Sequence, residues 1–194
     1  MSGLSRHLLM CCVSPSEPYL GKPTQRQRVW LLSLSGMVER YHNIPTITRD
    51  TVGEHTYGVM WMVVELSRPA LPSRELLVAA LAHDTPEVNW GDITAPTKRI
   101  LGIRGAYGKL EDETYRALEI DVLLGEQEMR TLKIADCMDA MLHCCYERAL
   151  GNQMVCEVIA TFKNYLIEMK LRPNEQHLMD EILDIWRTFD EGHR

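Results

Sequence analysis

At 194 residues and 22.3 kDa the chain is long enough for one ordinary domain and too short for two comfortable ones. Its 21 Lys+Arg against 27 Asp+Glu leave a net charge of −6 spread along the sequence, which excludes a chain-wide basic surface and with it sequence-blind nucleic-acid binding. Apolar residues at 45% and charged residues at 25% exclude a disordered chain, and apolar runs such as residues 59–64 are far too short to span a membrane.

Residues 1–22 carry little pattern. Their one apolar stretch, 8–13 behind Arg6 and His7, is shorter than a signal-peptide core, so the chain reads as cytoplasmic. We take 1–22 as an N-terminal extension on a single domain, 23–194. From there the apolar spacing is helical. A first helix is predicted over 24–41, with Trp30, Leu34, Met37, Val38 and Tyr41 on one face, and Pro45 breaks the pattern after it. Thr51-Val52-Gly53-Glu54 has the form of a capping box and opens a second helix to about residue 66. Pro69 and Pro72 turn the chain, and Ser73 caps a third helix over 74–88. A loop over 91–97 holds Pro96. Further helices are expected over 107–124, 126–150, 152–171 and 175–189, with Gly125, Gly151 and Pro173 at their boundaries. The last places Leu178, Ile182, Ile185, Trp186 and Phe189 on a packing face. No strand is predicted, and the fold class is an all-α, single-domain helical bundle.

The six cysteines include no Cys-x-x-Cys pair and read as small apolar residues in a reducing compartment, not as disulfides or a zinc site. More informative are polar residues that interrupt apolar helix faces. The run from Leu76 to Ala82 ends in His83-Asp84, and a carboxylate entering an apolar place needs a cation or strong donors. Glu87 follows His83 by four residues and Asp84 by three, which puts it on their face if the helix continues. His55 precedes the apolar 59–64 run, and Asp136 sits within the apolar stretch around Ile134 and Met138. Two imidazoles and two carboxylates from three helices suffice for a divalent ion, and a mixed shell fits Zn, Co, Mn or Mg.

The order His55, then His83-Asp84, then Asp136 resembles the signature of the HD-domain metal-dependent phosphohydrolases. The likeness extends to Arg40-Tyr41, Val52-Gly53-Glu54-His55, Ala82-His83-Asp84-Thr85-Pro86-Glu87, the 91–98 segment and Lys133-Ile134-Ala135-Asp136, which look like the blocks of the bacterial 5′-deoxynucleotidases in the same order. The segment from Arg40 to Thr46 looks closer still to the small phage dATP triphosphohydrolases, enzymes that accompany replacement of adenine by 2-aminoadenine in phage DNA.

The resemblance implies an HD-domain bundle and a set of roles. His55, His83, Asp84 and Asp136 bind the metal, and Glu87 and Asp92 are the acid–base pair. Arg40, Lys98 and Lys133 meet phosphate or sugar, although Lys98 beside Arg99 can equally be solvated and Lys133 can equally pair with a neighbouring acid. Ile44 is the candidate wall against the 2-amino group of guanine or 2-aminoadenine, while Tyr41 can stack on the base or end the first helix in the core. The expected substrate is a deoxynucleotide, dATP first and a deoxynucleoside monophosphate second; a helical interaction module without turnover is the third reading. No nucleic-acid or membrane partner is expected. The small phage relatives imply a ring-like homo-oligomer, with a hexamer as the expectation.

Overall fold

The computed structural model describes residues 23–191. The expected extension 1–22, with Cys11 and Cys12, lies outside the described residues, as do the side chains of Trp186 and Phe189. The described chain is helical, and the bridge between Glu39 and Thr51 is the β pairing found among these residues. Its residues divide into two compact units: the described part of Met1–Val38 with Thr85–Asp121, and Glu39–Asp84 with the described part of Val122–Arg194.

In the first unit, α1 is Gln25–Ser35. The Thr24 hydroxyl accepts the Gln27 N–H and the Gln27 side chain accepts the Thr24 N–H, so two donors at the open helix end are satisfied. The helix stops six residues short of the predicted end (41 − 35). Gly36 is a poor helix former, and the next N–H groups, of Met37 and Val38, bond back to Leu34 and Ser35 in a tightened last turn. Three more helices follow: α4, Glu87–Trp90; α5, Ala95–Ile100; and α6, Arg104–Ala117. The predicted 91–97 loop holds over 91–94 and gives way to α5 from Ala95, because the Thr94 hydroxyl caps that helix and Pro96 stands in its first turn, where a missing N–H costs nothing. The α6 helix ends seven residues before position 124, with Glu119 turning the chain in the left-handed region (φ 58°). In this unit α1 packs on α4 and α5 on α6.

The second unit is built around one long helix. Its members are α2, Val52–Leu66, α3, Arg74–Ala82, α7, Glu126–Ala149, a 3₁₀ turn at Gln153–Val155, α8, Cys156–Glu168, and α9, Pro173–Glu191. The predicted 152–171 helix is therefore the 3₁₀ turn followed by α8, and Asn152 caps the turn through its side chain. At 24 residues α7 is the longest helix, and it packs against α2, α3, α8 and α9. Ile134, Met138, Met141 and Cys145 of α7 meet Leu166 of α8 and Met179 and Ile182 of α9, while Ala135 meets Val59, Val63, Leu76 and Ala80. Cys137, Cys144 and Cys145 are buried, as a small apolar reading expects, whereas Cys156 is exposed. No helix among the described residues is long and apolar enough to cross a membrane.

The predicted 74–88 helix ends at Ala82. Pro86 has no N–H to offer the Ala82 carbonyl, so the ladder cannot continue, and a turn at 83–86 separates α3 from α4. Glu87 therefore does not share a helix face with His83 and Asp84; it opens α4 instead.

Between α1 and α2 the 39–50 loop is tied to α7 by groups that the sequence did not single out. The buried carboxylate of Glu147 accepts the N–H groups of Ile47 and Thr48, each at 2.7 Å, and an N–H of Asn152 at 2.8 Å. Asn152 also donates to the Pro45 carbonyl at 2.9 Å. Burial pushes the Glu147 carboxyl up, but the donors from Thr48, Asn152 and Ile47 overcome it and hold the pKa down at about 2. Because this value lies below the ordinary 4.5, the stabilisation is complete above pH 4.5 and is lost as pH falls toward about 2. Glu147→Ala should lower the melting temperature at pH 7, corresponding to about 1–3 kcal/mol for the unpaired donors. The gap from wild type should narrow across that acid window in thermal melts.

Candidate metal centre

All four predicted metal donors belong to the second unit. His55 lies in the first turn of α2, because the Thr51 cap fixes where that helix starts. His83 is the C-cap of α3, Asp84 follows it, and Asp136 is on α7. The structure brings them together. His55 Nε2 is 3.3 Å from His83 Nε2, 3.2 Å from Asp136 Oδ1 and 3.6 Å from Asp84 Oδ2, and His83 Nε2 is 3.3 Å from Asp84 Oδ2. Ligand atoms of His55, His83 and Asp84 all fall within 4.8 Å of one another.

Whether these residues fit an ion can be judged from the far side of each ring. His83 Nδ1 is 2.8 Å from the Ala80 carbonyl, an acceptor, so it carries the hydrogen and donates it. His55 Nδ1 likewise faces the carboxylate of Asp139 at 2.7 Å. Both arrangements leave Nε2 as the lone-pair nitrogen of a neutral ring, and both Nε2 atoms point at the shared centre. The donor set fits a divalent metal cofactor.

Burial works against every charge in the cluster. Asp84 and Asp136 nonetheless raise the His83 pKa to about 9, and Asp136 and Asp139 raise that of His55. The imidazoles in turn hold the Asp84 and Asp136 carboxyls below their ordinary range, with Lys133 adding to the effect on Asp136. Each group is thus held charged by its neighbours, and a divalent ion supplies the same compensation to the carboxylates while displacing protons from the rings.

The other predicted residues are placed as follows. Lys133 Nζ donates to Asp136 Oδ2 at 2.7 Å, the pairing the sequence left open, and Asp136 raises its pKa. Arg40 is nearly buried, with its guanidinium 2.8 Å from Asp50 Oδ2 and 5.3 Å from the Tyr41 ring centroid. Desolvation opposes its charge, yet Tyr41, Asp84, Asp50 and Asp136 together raise its pKa. Tyr41 does not end α1; it sits at φ 56°, donates its hydroxyl to the Ala140 carbonyl and stacks on His143 at 5.0 Å. Ile44 is half-buried and, with Arg40 and Tyr41, lines an open hollow of about 400 Å³ formed by the 39–50 loop.

Glu87, Asp92 and Lys98 belong to the first unit. Glu87 is buried at the start of α4, and Asp92 follows Gly91, which closes that helix in the left-handed region at φ 74°. Lys98 is not simply solvated: its ammonium lies 3.7 Å from the Tyr107 ring centroid and 3.7 Å from Glu111 Oε1. Sequence reasoning missed Asp50, Asp139 and Glu147. Asp139 had a readable signal, an acid one turn beyond Asp136 on the same helix.

A helical bundle that gathers His, His-Asp and Asp donors in this order has the fold of the HD-domain phosphohydrolases. An HD-domain phosphohydrolase from Listeria innocua superposes with a TM-score of 0.61 at 22% identity, covering 83% of this chain and 88% of that one. The HD phosphohydrolase of cyanophage S-2L (DatZ), solved bound to dA and one catalytic Zn²⁺ ion, has a TM-score of 0.60 at 17% identity, covering 88% and 99%. At these identities the likeness establishes the fold. The chain belongs to the YfbR-like family, described as 5′-deoxynucleotidase YfbR-like, which it matches over residues 30–185. A protein of Salmonella phage PMBT28 named dATP triphosphohydrolase is 30% identical over 115 residues, which make up 54% of this chain and 59% of that relative. The chain thus matches less than two thirds of that relative's length.

Removing a donor tests the centre directly. His83→Ala or Asp136→Ala should lower divalent-metal occupancy, measured by elemental analysis of folded protein, and should abolish hydrolysis. The alanine at 136 also leaves Lys133 without its acid partner. A folded, metal-free and fully active variant would contradict the assignment.

Proposed function

We propose that the protein is a metal-dependent deoxynucleotide phosphohydrolase that cleaves dATP to deoxyadenosine and inorganic triphosphate. The observation that carries this reading is the convergence of two imidazole nitrogens and two carboxylates, with Lys133 paired to one of those carboxylates and Arg40 held by Asp50. The names of two similar proteins favour this substrate, one called a dATP triphosphohydrolase and the other bound to dA. In a phage whose DNA carries 2-aminoadenine, such an enzyme would deplete dATP in the host cytoplasm. A homo-oligomer, with a hexamer as the expectation, belongs to the same reading.

In this reading His55, His83, Asp84 and Asp136 hold the ion, which when bound supplies positive charge to a phosphoryl oxygen and makes water a better acid. Water attacks the α-phosphorus, the bond to the 5′-oxygen breaks, and that oxygen takes up a proton. Glu87 and Asp92 are the proposed pair that takes the water's proton and returns one to the leaving group, a role suited to the buried carboxylate of Glu87. Arg40, Lys98 and Lys133 neutralise phosphate oxygens, which an acidic protein needs in order to hold a polyanion. For the two lysines this requires exchanging the present partners, Glu111 and Asp136, for phosphate.

The second reading is a 5′-deoxynucleotidase that releases orthophosphate from deoxynucleoside monophosphates, and the family description favours it. Chromatography of the products from mono-, di- and triphosphates with Mg²⁺, Mn²⁺, Co²⁺ or Zn²⁺ separates the two.

Glu87→Gln keeps the side chain's shape and removes its basicity, so kcat should fall by about 10²–10⁴ with metal retained. Loss of metal without that fall would exchange ligand and base. For substrate choice, Ile44→Ala should shift the ratio of kcat/KM for dGTP and the 2-aminoadenine triphosphate over dATP by about 10- to 200-fold in their favour. An unchanged ratio removes Ile44 from the pocket wall.

A further inference from the structure

His55 is 1% exposed and is the one ligand surrounded by acids on both edges of its ring. An imidazole that can exchange its proton between nitrogens is a poor ligand, because the wrong tautomer turns an N–H toward the ion. Asp139 settles the matter from the far side. Its carboxylate oxygen accepts, so the nitrogen 2.7 Å away donates as Nδ1–H, and the Nε2 lone pair is left for the centre.

The second observation is on α2. Gly58 stands three residues after His55 on that helix, facing the Asp139 side chain. A Cβ placed on Gly58 would lie 1.8 Å from Asp139 Oδ1 and 2.6 Å from its Cγ. Both distances are far inside contact, and the obstructed group is the carboxylate itself, so relief would require Asp139 to leave His55. Glycine in a helix interior is unfavourable unless a close approach demands it. Here one oxygen of Asp139 fills the space that a side chain at 58 would take, while the other holds the ring.

We propose that Gly58 and Asp139 form a positioning pair that fixes His55 as a metal ligand: Asp139 sets the tautomer and ring orientation, and the missing side chain at 58 lets Asp139 reach it. The inference rests on the metal reading above and adds two residues to it, neither of which touches the ion or the substrate.

The test is a metal-affinity cycle on the full chain, with Zn²⁺ titrated against a chromophoric chelator and folding checked by circular dichroism. Asp139→Ala should weaken binding about 10- to 100-fold, the usual scale for losing a ligand's supporting carboxylate. Gly58→Ala should do the same with Asp139 intact. In the double variant the loss should be no greater than in Asp139→Ala alone, because the methyl at 58 then displaces nothing. Asp139→Asn, which retains an acceptor for Nδ1–H, should recover part of the affinity. With Co²⁺ in place of Zn²⁺, the visible absorption bands should shift alike in Asp139→Ala and Gly58→Ala.

Wild-type affinity in Asp139→Ala overturns the proposal, and so do losses that add in the double variant, since Gly58→Ala would then act through general packing. If Gly58→Ala does not fold, the Asp139→Ala and Asp139→Asn affinities and spectra decide alone. A wild-type chain that takes up no divalent ion overturns the metal reading itself, a result distinct from a wild-type chain that binds metal and is indifferent to Asp139.

Discussion

The second unit depends on the burial of one imidazole between two carboxylates of a single helix. Asp136 and Asp139 stand one turn apart on α7 and grip opposite nitrogens of His55, at 3.2 and 2.7 Å. Burying charge in a bundle is costly unless each group meets a partner. Here the partners come from α7 and the two helices that cross it, so α2 and α7 must pack in register before His55 meets both of its acids. The metal centre and the packing of the unit are therefore one problem with one solution.

That same face of α7 continues past the centre. At spacings of three and four residues it carries Lys133, Asp136, then Ala140, His143 and Glu147. The first two belong to the centre, Ala140 and His143 hold Tyr41, and Glu147 receives the backbone of Ile47 and Thr48. The buried apolar residues on its other faces form the cores with α8, α9, α2 and α3. One helix thus connects the metal donors to the loop that bears Arg40 and Ile44. Anchoring that loop by a buried carboxylate reduces the freedom it would lose on meeting a substrate, which is what pre-organisation contributes to binding.

Arg40 and Lys133 show how an acidic protein keeps cations in place. Both are held by acids, Asp50 for Arg40 and Asp136 for Lys133; Asp136 raises the Lys133 pKa, and against burial Tyr41, Asp84 and Asp50 together raise that of Arg40. Lys98 is held differently, over the Tyr107 ring and beside Glu111. In the proposed reading, a cation held in this way is already ordered when a phosphate arrives.

The sequence by itself determined the all-helical class and most helix starts, and it singled out His55, His83, Asp84 and Asp136, which the fold brings together. Those starts are local matters, since Thr24, Thr51 and Ser73 satisfy backbone donors within three residues of themselves. Helix ends were less legible: periodicity carried the prediction past Ser35, Ala82 and Ala117, where Gly36, Pro86 and a left-handed Glu119 stop or turn the chain. Only the tertiary structure decided what each polar side chain meets. His55 and Asp136 are 81 residues apart (136 − 55), and Glu147 lies about as far again from the loop it anchors, 99 residues from Thr48. Nothing in the spacing could pair them, because which face of α7 meets α2, and which meets the 39–50 loop, is fixed by the packing of the apolar faces around it. Gly58 is the clearest case. In the sequence it is a glycine in a helix; in the fold it is the space that one oxygen of Asp139 occupies.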